Sequence, residues 1–579
     1  MPISKPTSPK KALTALTAAL FVAGSVNASD TTSPYQEKPE RHVFDGQTDD
    51  LLTAGLGIAG LAQQPATAES QKLSEWRERR QRAVHQNWRA LVDLRRWPYG
   101  SDTRIAGIEY VAHVKSSGNI PESSFLLQIP ATFDANKPCL LLTAASGSRG
   151  MFGSLPTVGQ WGLRKGCAVV SDDKGLGMRV TDQTNGWRLD ASGRIEQIAP
   201  SASPFPHALQ MAHAHQAFDN EPNWGRMLLR SGELALQLLS AEYPGRAAFT
   251  PKNTLIIAAG ISNGAAAVLQ ALETDDADFI DAAVASEPNV HTPGAPSLYE
   301  YATLHAMLQP CAILAENLAE IPLGMVIGMN VARHTDWCER LAKDGLVNGT
   351  DTAARASDAR QRLLKSGIEP SALRLGAVNL QFGLWTSVGA TYAQSYLRRD
   401  LNRPACNIGF SATDTNGQPR ELQASERAAL FSDGTGITPT AGINIVARDA
   451  SGGVSIANAL TYDTTKCLRN LSASTKNTTD KLNVAGRTGQ RPVLVLHGAS
   501  DALIPIAHTS RRYAALAAPL NPNFRFLEIA NGQHFDAFLV IPGMEPAFAP
   551  MQPVVDESLD DVYAFLTQEK PLPASGILR

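Results

Sequence analysis

After its first few residues the sequence lacks any sustained block of basic residues. Among its 579 residues, 52 lysines and arginines face 55 aspartates and glutamates, and the formal charge is −3. A surface that binds nucleic acid or anionic membrane needs clustered positive charge. We therefore expect no nucleic-acid or membrane partner, and instead a small neutral or mildly anionic ligand. The sequence does not indicate an oligomeric state.

Cysteine is scarce as well. The six cysteines include no C-x-x-C pair, which removes the usual signal for a zinc or redox site. Their even number permits disulfides in an oxidising compartment, with the pairing left open. His213 and His215 would share one face of a strand, but no third ligand is evident nearby. We expect a structural or substrate-facing role for them, with no metal and no cofactor.

No apolar run is long enough to predict a membrane span in the mature chain. Near the N-terminus, Lys5, Lys10 and Lys11 precede "ALTALTAALFVAGSV", about 15 residues where a spanning helix needs about 20. This pattern is typical of a secretory signal peptide. The small residues Val26 and Ala28 precede the predicted cleavage site, which follows Ala28. We predict a signal peptide over residues 1–28 and a secreted or periplasmic protein. An uncleaved anchor is the alternative.

Short apolar strands alternate with helical patterns through much of the chain. An amphipathic helix is predicted over about 74–94, followed by a hairpin formed by "GIEYVAHV" and "SSFLLQIP". The strands "PCLLLTAASGSRG", "GCAVVSDDKGLG", "TLIIAAG" and "FIDAAVASEPNV" follow, and "RPVLVLHGASD" and "FRFLEIANGQHF" come late. This order favours an α/β fold with a mostly parallel sheet covered on both faces. We assign residues 29–290 and 491–579 to this core.

Residues 291–490 interrupt the alternation. They show helical patterns such as "SLYEYATLHAMLQPCAILAENL" and then a stretch rich in Gly, Asn, Ser and Thr. An insertion late in such a sheet is a natural lid over the carboxyl ends of the strands. We predict a lid that helps to build the substrate pocket, and a separate domain with its own function is the alternative.

Three residues at strand ends form a candidate catalytic set. Ser262 lies in "GISNG", which fits the G-x-S-x-G nucleophile elbow, while Asp501 and His534 follow later strands. Ser, Asp and His in this chain order are typical of α/β-hydrolases. Serine needs a nearby base, imidazole suits that work, and the carboxylate orients it. Each residue also has an ordinary interpretation as a helix cap, a turn former or a surface residue, and Asp536 competes weakly with Asp501.

Acyl transfer also needs donors for an oxyanion. The backbone N–H of Asn263, directly after the nucleophile, is one candidate. The loop "AASGSRG" should supply the second, with Ser146, Gly147 and Ser148 as candidates. A flexible turn of small residues is the alternative for this loop.

Several longer stretches resemble one known family. "TAASGSRGMFGSLPTVGQWGLRKGCAVVSDDKGLG", "MAHAHQAFDNEPNWGR", "GISNGAAA", "HGASDALIPIAHTSRRY" and "NGQHFDAF" are similar to the D-(-)-3-hydroxybutyrate oligomer hydrolases. The resemblance implies an exported serine esterase that cuts short 3-hydroxybutyrate oligomers to monomers in polyhydroxybutyrate degradation, with Ser262 as nucleophile. Ala265 and Ala266 stand where the family suggests a longer glycine run.

Three alternatives differ in what the sequence should contain. Tannases and feruloyl esterases carry cysteines beside the serine and the histidine, where this chain has Ile261 and Gln533. A polymer depolymerase is expected to add a surface-binding module, and only about a dozen residues follow the last helix, which is predicted near 555–566. A non-catalytic binding protein on a hydrolase scaffold has no reason to keep the three residues in order. We expect a small-molecule ester as substrate.

Overall fold

The computed structural model describes residues 33–67, 70, 72–100, 103–147, 149–175, 179–190, 192–203, 205–316, 331–433, 436–545 and 547–578. The predicted signal peptide, residues 1–28, lies outside this part of the chain. Contacts divide the chain into residues 1–34 and 35–579, and the elements named below belong to the second unit. Within the described residues, no helix combines the length and the apolar character that a membrane crossing requires.

The strands are numbered in chain order. They are β1 (Glu40–Phe44), β2 (Gly107–Val114), β3 (Ser123–Pro130), β4 (Cys139–Ala144), β5 (Ala168–Asp172), β6 (Val180–Asp182), β7 (Trp187–Leu189), β8 (Ile195–Gln197), β9 (Gln210–Met211), β10 (Leu255–Ile261), β11 (Ala282–Ser286), β12 (Ile408–Thr413), β13 (Pro419–Arg420), β14 (Ile443–Arg448), β15 (Val454–Ser455), β16 (Val493–Gly498), β17 (Phe524–Ile529) and β18 (Gly576–Leu578).

The α-helices follow the same convention. They are α1 (Gly57–Ala62), α2 (Trp76–Leu91), α3 (Gln160–Arg164), α4 (Trp224–Glu242), α5 (Asn263–Thr274), α6 (Leu298–Ala312), α7 (Val331–Lys343), α8 (Thr352–Lys365), α9 (Pro370–Arg374), α10 (Gly376–Gln381), α11 (Leu384–Tyr396), α12 (Ala424–Asp433), α13 (Ile456–Ala459), α14 (Tyr462–Asn470), α15 (Ser472–Thr479), α16 (Ser510–Ala517) and α17 (Gln552–Gln568).

One large sheet organises the molecule. Its strand order is β1-β2-β3-β5-β4-β10-β11-β16-β17-β18 within the described residues. The neighbouring pairs β1–β2, β2–β3 and β3–β5 are antiparallel. Every later pair in this order, beginning with β5–β4, is parallel. The predicted hairpin is therefore confirmed as β2 and β3, and the mostly parallel sheet with helices is an α/β-hydrolase fold, as the sequence predicted.

Alternation along the central strands explains why both faces of the sheet are covered. Leu140 and Leu142 of β4 pack in one hydrophobic cluster with α4 and α5, while Leu141 packs in another with α2 and α17. Successive side chains on a strand point to opposite faces. A strand that is buried at every position, as β4 is, therefore needs a helical layer on each side.

The insertion of residues 291–490 leaves and re-enters the core at one place. His291 forms an isolated parallel bridge with Asn483, and the Val484 N–H donates to the His291 carbonyl at 3.0 Å. Between these points lie α6 to α15 and a sheet of order β13-β12-β14-β15. We call this segment, wherever the structure describes it, the cap.

A second stretch of chain packs with the cap. The small sheet β8-β7-β6-β9 spans residues 180–211, which the sequence analysis assigned to the core. Its Trp187 and Leu209 share one hydrophobic cluster with Tyr299, Trp385 and Phe410 of the cap. This hydrophobic cluster therefore combines side chains from two separate segments of the chain.

Three disulfides link the six cysteines. The pairs are Cys139–Cys167, Cys311–Cys338 and Cys406–Cys467. The first joins the start of β4 to the residue before β5, and the other two lie within the cap. The sequence left this pairing open.

Candidate active site

Ser262 sits on a sharp turn between β10 and α5. Its backbone has φ 61° and ψ −126°, a conformation that L-residues rarely adopt and that is typical of strained functional positions. The flanking glycines are sterically required. A Cβ on Gly260 would lie 2.6 Å from the Gly264 carbonyl carbon, and one on Gly264 would lie 2.4 Å from the Ala144 oxygen. The "GISNG" motif therefore forms the predicted elbow for a packing reason.

The structure brings Ser262, His534 and Asp501 into one hydrogen-bonded chain. His534 Nε2 lies 2.9 Å from Ser262 Oγ, and His534 Nδ1 lies 2.6 Å from Asp501 Oδ2. A carboxylate only accepts, so Nδ1 carries the proton and Nε2 is left to accept from the serine hydroxyl. All three side chains are buried. This arrangement can deprotonate Ser262 as it attacks an ester carbonyl.

The Asp501 carboxylate is held in its charged form. Burial raises its pKa, but the electrostatic interaction with His534 and hydrogen bonds from His497 and His534 outweigh burial and lower the pKa below its ordinary value. The N–H groups of Leu503 and Ile504 donate to Oδ1 at 2.7 and 2.8 Å. His497, which the sequence analysis did not identify, reaches Oδ2 at 3.3 Å.

Asp536 has a different environment from Asp501. It accepts from the N–H groups of Met551 and Gln552 at 2.6 and 3.0 Å, at the start of α17. Burial raises its pKa to about 6. The competing interpretation of Asp536 as the acid is therefore wrong for this geometry, because Asp501 makes the contact with His534.

The candidate oxyanion donors lie where β4 meets the elbow. Asn263 is the first residue of α5, so its N–H has no acceptor within the helix. The Ala144 and Ala145 carbonyls pack against Gly264, which places the loop that follows beside the elbow. In this loop Ser146 is buried and Gly147 has φ 60°. Ser148 lies outside the described residues, and the roles of these donors stay predictions.

A buried polar network from the cap reaches the residue after the nucleophile. Asn263 Nδ2 donates to Tyr392 Oη at 3.1 Å, and Lys174 Nζ donates to the same oxygen at 3.3 Å. Lys174 also lies 3.2 Å from His213 Nε2, and His213 Nδ1 lies 3.2 Å from the Gly436 carbonyl. Sequence reasoning missed Lys174 and Tyr392, since nothing local links them to the elbow.

The two histidines of "HAH" are occupied by protein contacts. Burial and then the charge of Lys174 lower the pKa of His213 well below its ordinary value. His215 Nδ1 lies 3.1 Å from the Met211 carbonyl, and burial lowers its pKa to about 4. Within the described ranges, no group of three or more His, Cys, Asp or Glu side chains is arranged to hold a metal ion.

A cavity of about 540 Å³ lies apart from this site. It opens between β2 and the small sheet of β6 to β9, and no member of the Ser262, His534 and Asp501 set lines it. Its lining arginines each have a carboxylate partner: Arg179 with Glu122, Arg188 with Glu196, and Arg194 with Glu40. The positive charges of these three arginines are therefore neutralised by neighbouring carboxylates.

Comparison with known proteins identifies the family of this chain. The model of the 3HB-oligomer hydrolase (3HBOH) family matches residues 18–579. The chain belongs to this family. Its relatives include a D-(-)-3-hydroxybutyrate oligomer hydrolase from Burkholderia pseudomallei (strain 1106a), 33% identical over 96% of this chain and 88% of the relative. The Burkholderia thailandensis protein of the same name is 34% identical over 93% of this chain and 87% of its own length.

The resemblance seen in the sequence is thus confirmed, and the chain is a hydrolase. A solved structure, feruloyl esterase B from Aspergillus oryzae, is 15% identical with a TM-score of 0.36, covering 81% of this chain and 82% of its own. A likeness of this size does not bear on the substrate.

Proposed function

We propose that this chain is an exported serine esterase that hydrolyses short (R)-3-hydroxybutyrate oligomers to monomers. The observation that carries the proposal is the hydrogen-bonded set of Ser262, His534 and Asp501 on a strained elbow, in a member of the 3HB-oligomer hydrolase family. The (R) preference is inferred from the relatives, whose names specify the D-(-) form of the monomer.

The first half of the reaction acylates the enzyme. Ser262 Oγ attacks the ester carbonyl while its proton moves to His534 Nε2, and Asp501 stabilises the imidazolium. The N–H of Asn263 and a donor from the Ser146–Gly147 turn bind the negative charge on the former carbonyl oxygen. His534 then gives its proton to the leaving alkoxide, which departs as a 3-hydroxy acid or a shortened oligomer.

The second half releases the acyl group. Water gives a proton to His534 Nε2 and attacks the acyl carbon, and the collapse of the tetrahedral species returns the proton to Ser262 Oγ. One ester bond and one water become one carboxylic acid and one alcohol. No step needs a metal or a redox cofactor.

The enclosure of the serine favours small substrates. Ser262 is 5% exposed, and Tyr392 from the cap contacts its neighbour Asn263. An enclosed pocket takes a short chain, whereas a solid polymer needs an open serine. We therefore expect dimers and trimers to be cleaved much faster, per ester bond, than crystalline poly(3-hydroxybutyrate).

Product analysis tests the proposal. Purified enzyme is incubated with (R) and (S) dimers and trimers and with a washed polymer film, and released monomer is quantified by chromatography. Rapid cleavage of the (R) oligomers supports the proposal. Faster erosion of the film would favour a depolymerase. Cleavage of gallate or ferulate esters alone would favour a tannase-like enzyme. The absence of any ester cleavage would favour a binding protein.

Export is a separate part of the proposal. It is supported by the signal-like N-terminus and by the three disulfides, which form and persist in oxidising compartments. N-terminal sequencing of protein recovered from the periplasm and the medium should find Ser29 as the first residue. An intact N-terminus on a cytoplasmic protein would contradict export without affecting the catalytic proposal.

A further inference from the structure

Arg149 is a half-buried cation without a charged partner. Its guanidinium donates from Nη1 to Asn87 Oδ1 at 3.2 Å, a neutral acceptor. Among the described residues no carboxylate pairs with it, and burial alone lowers its pKa to about 10. By contrast, the buried Arg80 is neutralised by Glu109 at 2.8 Å and Asp49 at 3.1 Å. Charges removed from water are normally paired in proteins, so a half-buried arginine without a carboxylate partner is a candidate for binding an anion.

The position of Arg149 connects it to the reacting ester. It follows Ser146 and Gly147, the candidate oxyanion residues, and its N–H donates to the Ser146 carbonyl at 3.3 Å. A turn of this kind brings the two Cα atoms within roughly 7 Å. The same stretch begins at Ala144 and Ala145, whose carbonyls contact Gly264 of the elbow. Arg149 thus belongs to the segment that borders the nucleophile.

Two neighbours of Arg149 indicate a site that is set up for a polar ligand. The Ser146 side chain is 2% exposed, and its Oγ has no hydrogen-bond partner in the part of the chain that the structure describes. Asn87 Nδ2 is fixed by the Ala83 carbonyl at 2.9 Å, which directs its oxygen to Arg149. The guanidinium is therefore oriented by one contact, and within the described residues its side chain makes no second hydrogen bond.

We propose that Arg149 binds the terminal carboxylate of the oligomer, and that this contact selects acids over neutral esters. This inference rests on the proposed function. Every 3-hydroxybutyrate oligomer ends in a carboxylate, and in a dimer its carbon lies four bonds, about 5 Å, from the scissile carbonyl carbon. A dimer whose scissile carbonyl lies at Ser262 therefore keeps its carboxylate close to the loop that carries Ser146, Gly147 and Arg149. A guanidinium binds a carboxylate through two parallel hydrogen bonds.

The test removes the charge from each partner in turn. The substrates are the (R)-3-hydroxybutyrate dimer as the free acid and the same dimer with a primary carboxamide in place of the carboxylate. Because a hydrogen bond to a charged group is strong, wild type should prefer the acid by roughly 10- to 100-fold in kcat/KM. Arg149→Met should bring the two substrates within threefold of each other by slowing the acid far more than the carboxamide. Arg149→Lys should keep an intermediate preference.

Circular dichroism verifies that Arg149→Met is folded, and the carboxamide, whose oxygen accepts only a weaker neutral hydrogen bond, should lose much less rate than the acid. Arg403→Met is the matched control: that arginine is exposed and lies 3.6 Å from Asp400, and the preference should persist. The inference is overturned if Arg149→Met keeps the preference or slows both substrates equally, as a purely structural arginine would. If wild type cleaves neither substrate, the proposed function fails instead.

Discussion

Replacing Gly264 by alanine tests the packing that holds the elbow against β4. The new Cβ would lie 2.4 Å from the Ala144 oxygen and 2.9 Å from the Ala145 oxygen, whereas real Cβ atoms essentially never come closer than 3.0 Å. The backbone must therefore move by at least about 0.6 Å at this contact. Both partners are buried main chain, so no flexible side chain can absorb the shift.

Either direction of movement harms the proposed oxyanion site. If α5 moves, Ser262 Oγ leaves its position 2.9 Å from His534 Nε2. If β4 moves, the Ser146–Gly147 turn retreats from the Asn263 N–H. Misplacement near 1 Å costs about 100-fold, and loss of one oxyanion donor costs about 100- to 1000-fold. We expect Gly264→Ala to lower kcat by about 100-fold or more.

The assay compares this variant with Gly150→Ala from the same loop. A Cβ on Gly150 meets nothing within 4 Å, so that variant should stay within twofold of wild type. Both are measured on the (R) dimer under saturating conditions, with circular dichroism to verify the fold. A folded Gly264→Ala with kcat within twofold of wild type would refute the reasoning, since the contact would then not fix the reacting groups.

Three further predictions concern single side chains. Ser262→Ala should lower kcat by about 10⁴- to 10⁶-fold in a folded protein; a loss below tenfold would remove Ser262 from the mechanism. Asp501→Asn should cost about 10⁴-fold, because the amide favours the wrong imidazole tautomer, and near-normal kcat would contradict that role. Burial and then the charge of Arg512 lower the pKa of His508 to about 4. The unfolded chain therefore binds a proton at this histidine near pH 6.5, whereas the folded protein binds it only near pH 4. The free energy of unfolding falls by up to about 3 kcal/mol as pH drops from 6.5 to 4. In His508→Phe, whose ring can still stack on Tyr301, the free energy of unfolding measured with denaturant should fall less steeply over this pH range. An unchanged dependence on pH would contradict the role of His508.

The sequence was most informative where the signals are local. The all-apolar strands and the "GISNG" turn each depend on neighbouring residues, and the sheet and the elbow follow from them. Asp501 and His534 could be located because parallel strands end at one edge of a sheet. Chain order then sufficed to place them near Ser262.

Contacts between distant segments could not be predicted. Tyr392 reaches Asn263 from a helix more than a hundred positions away in the chain, and no periodicity marks that pairing. The sheet of β6 to β9 was missed for the same reason: its strands have two or three residues each, too few for an alternating pattern. The apolar residues of this stretch, such as Trp187, are explained by their packing against the cap.

The bridge between His291 and Asn483 makes the cap a modular part of the protein. The two ends of the insertion meet, so lengthening or shortening the chain between them leaves the spacing of β11 and β16 unaltered and changes only a loop-closure term that grows slowly with length. Natural or laboratory recombination could therefore exchange this segment between relatives. A successful exchange would have to carry residues 180–211 along with it, because the incoming cap needs a matching partner for its buried face.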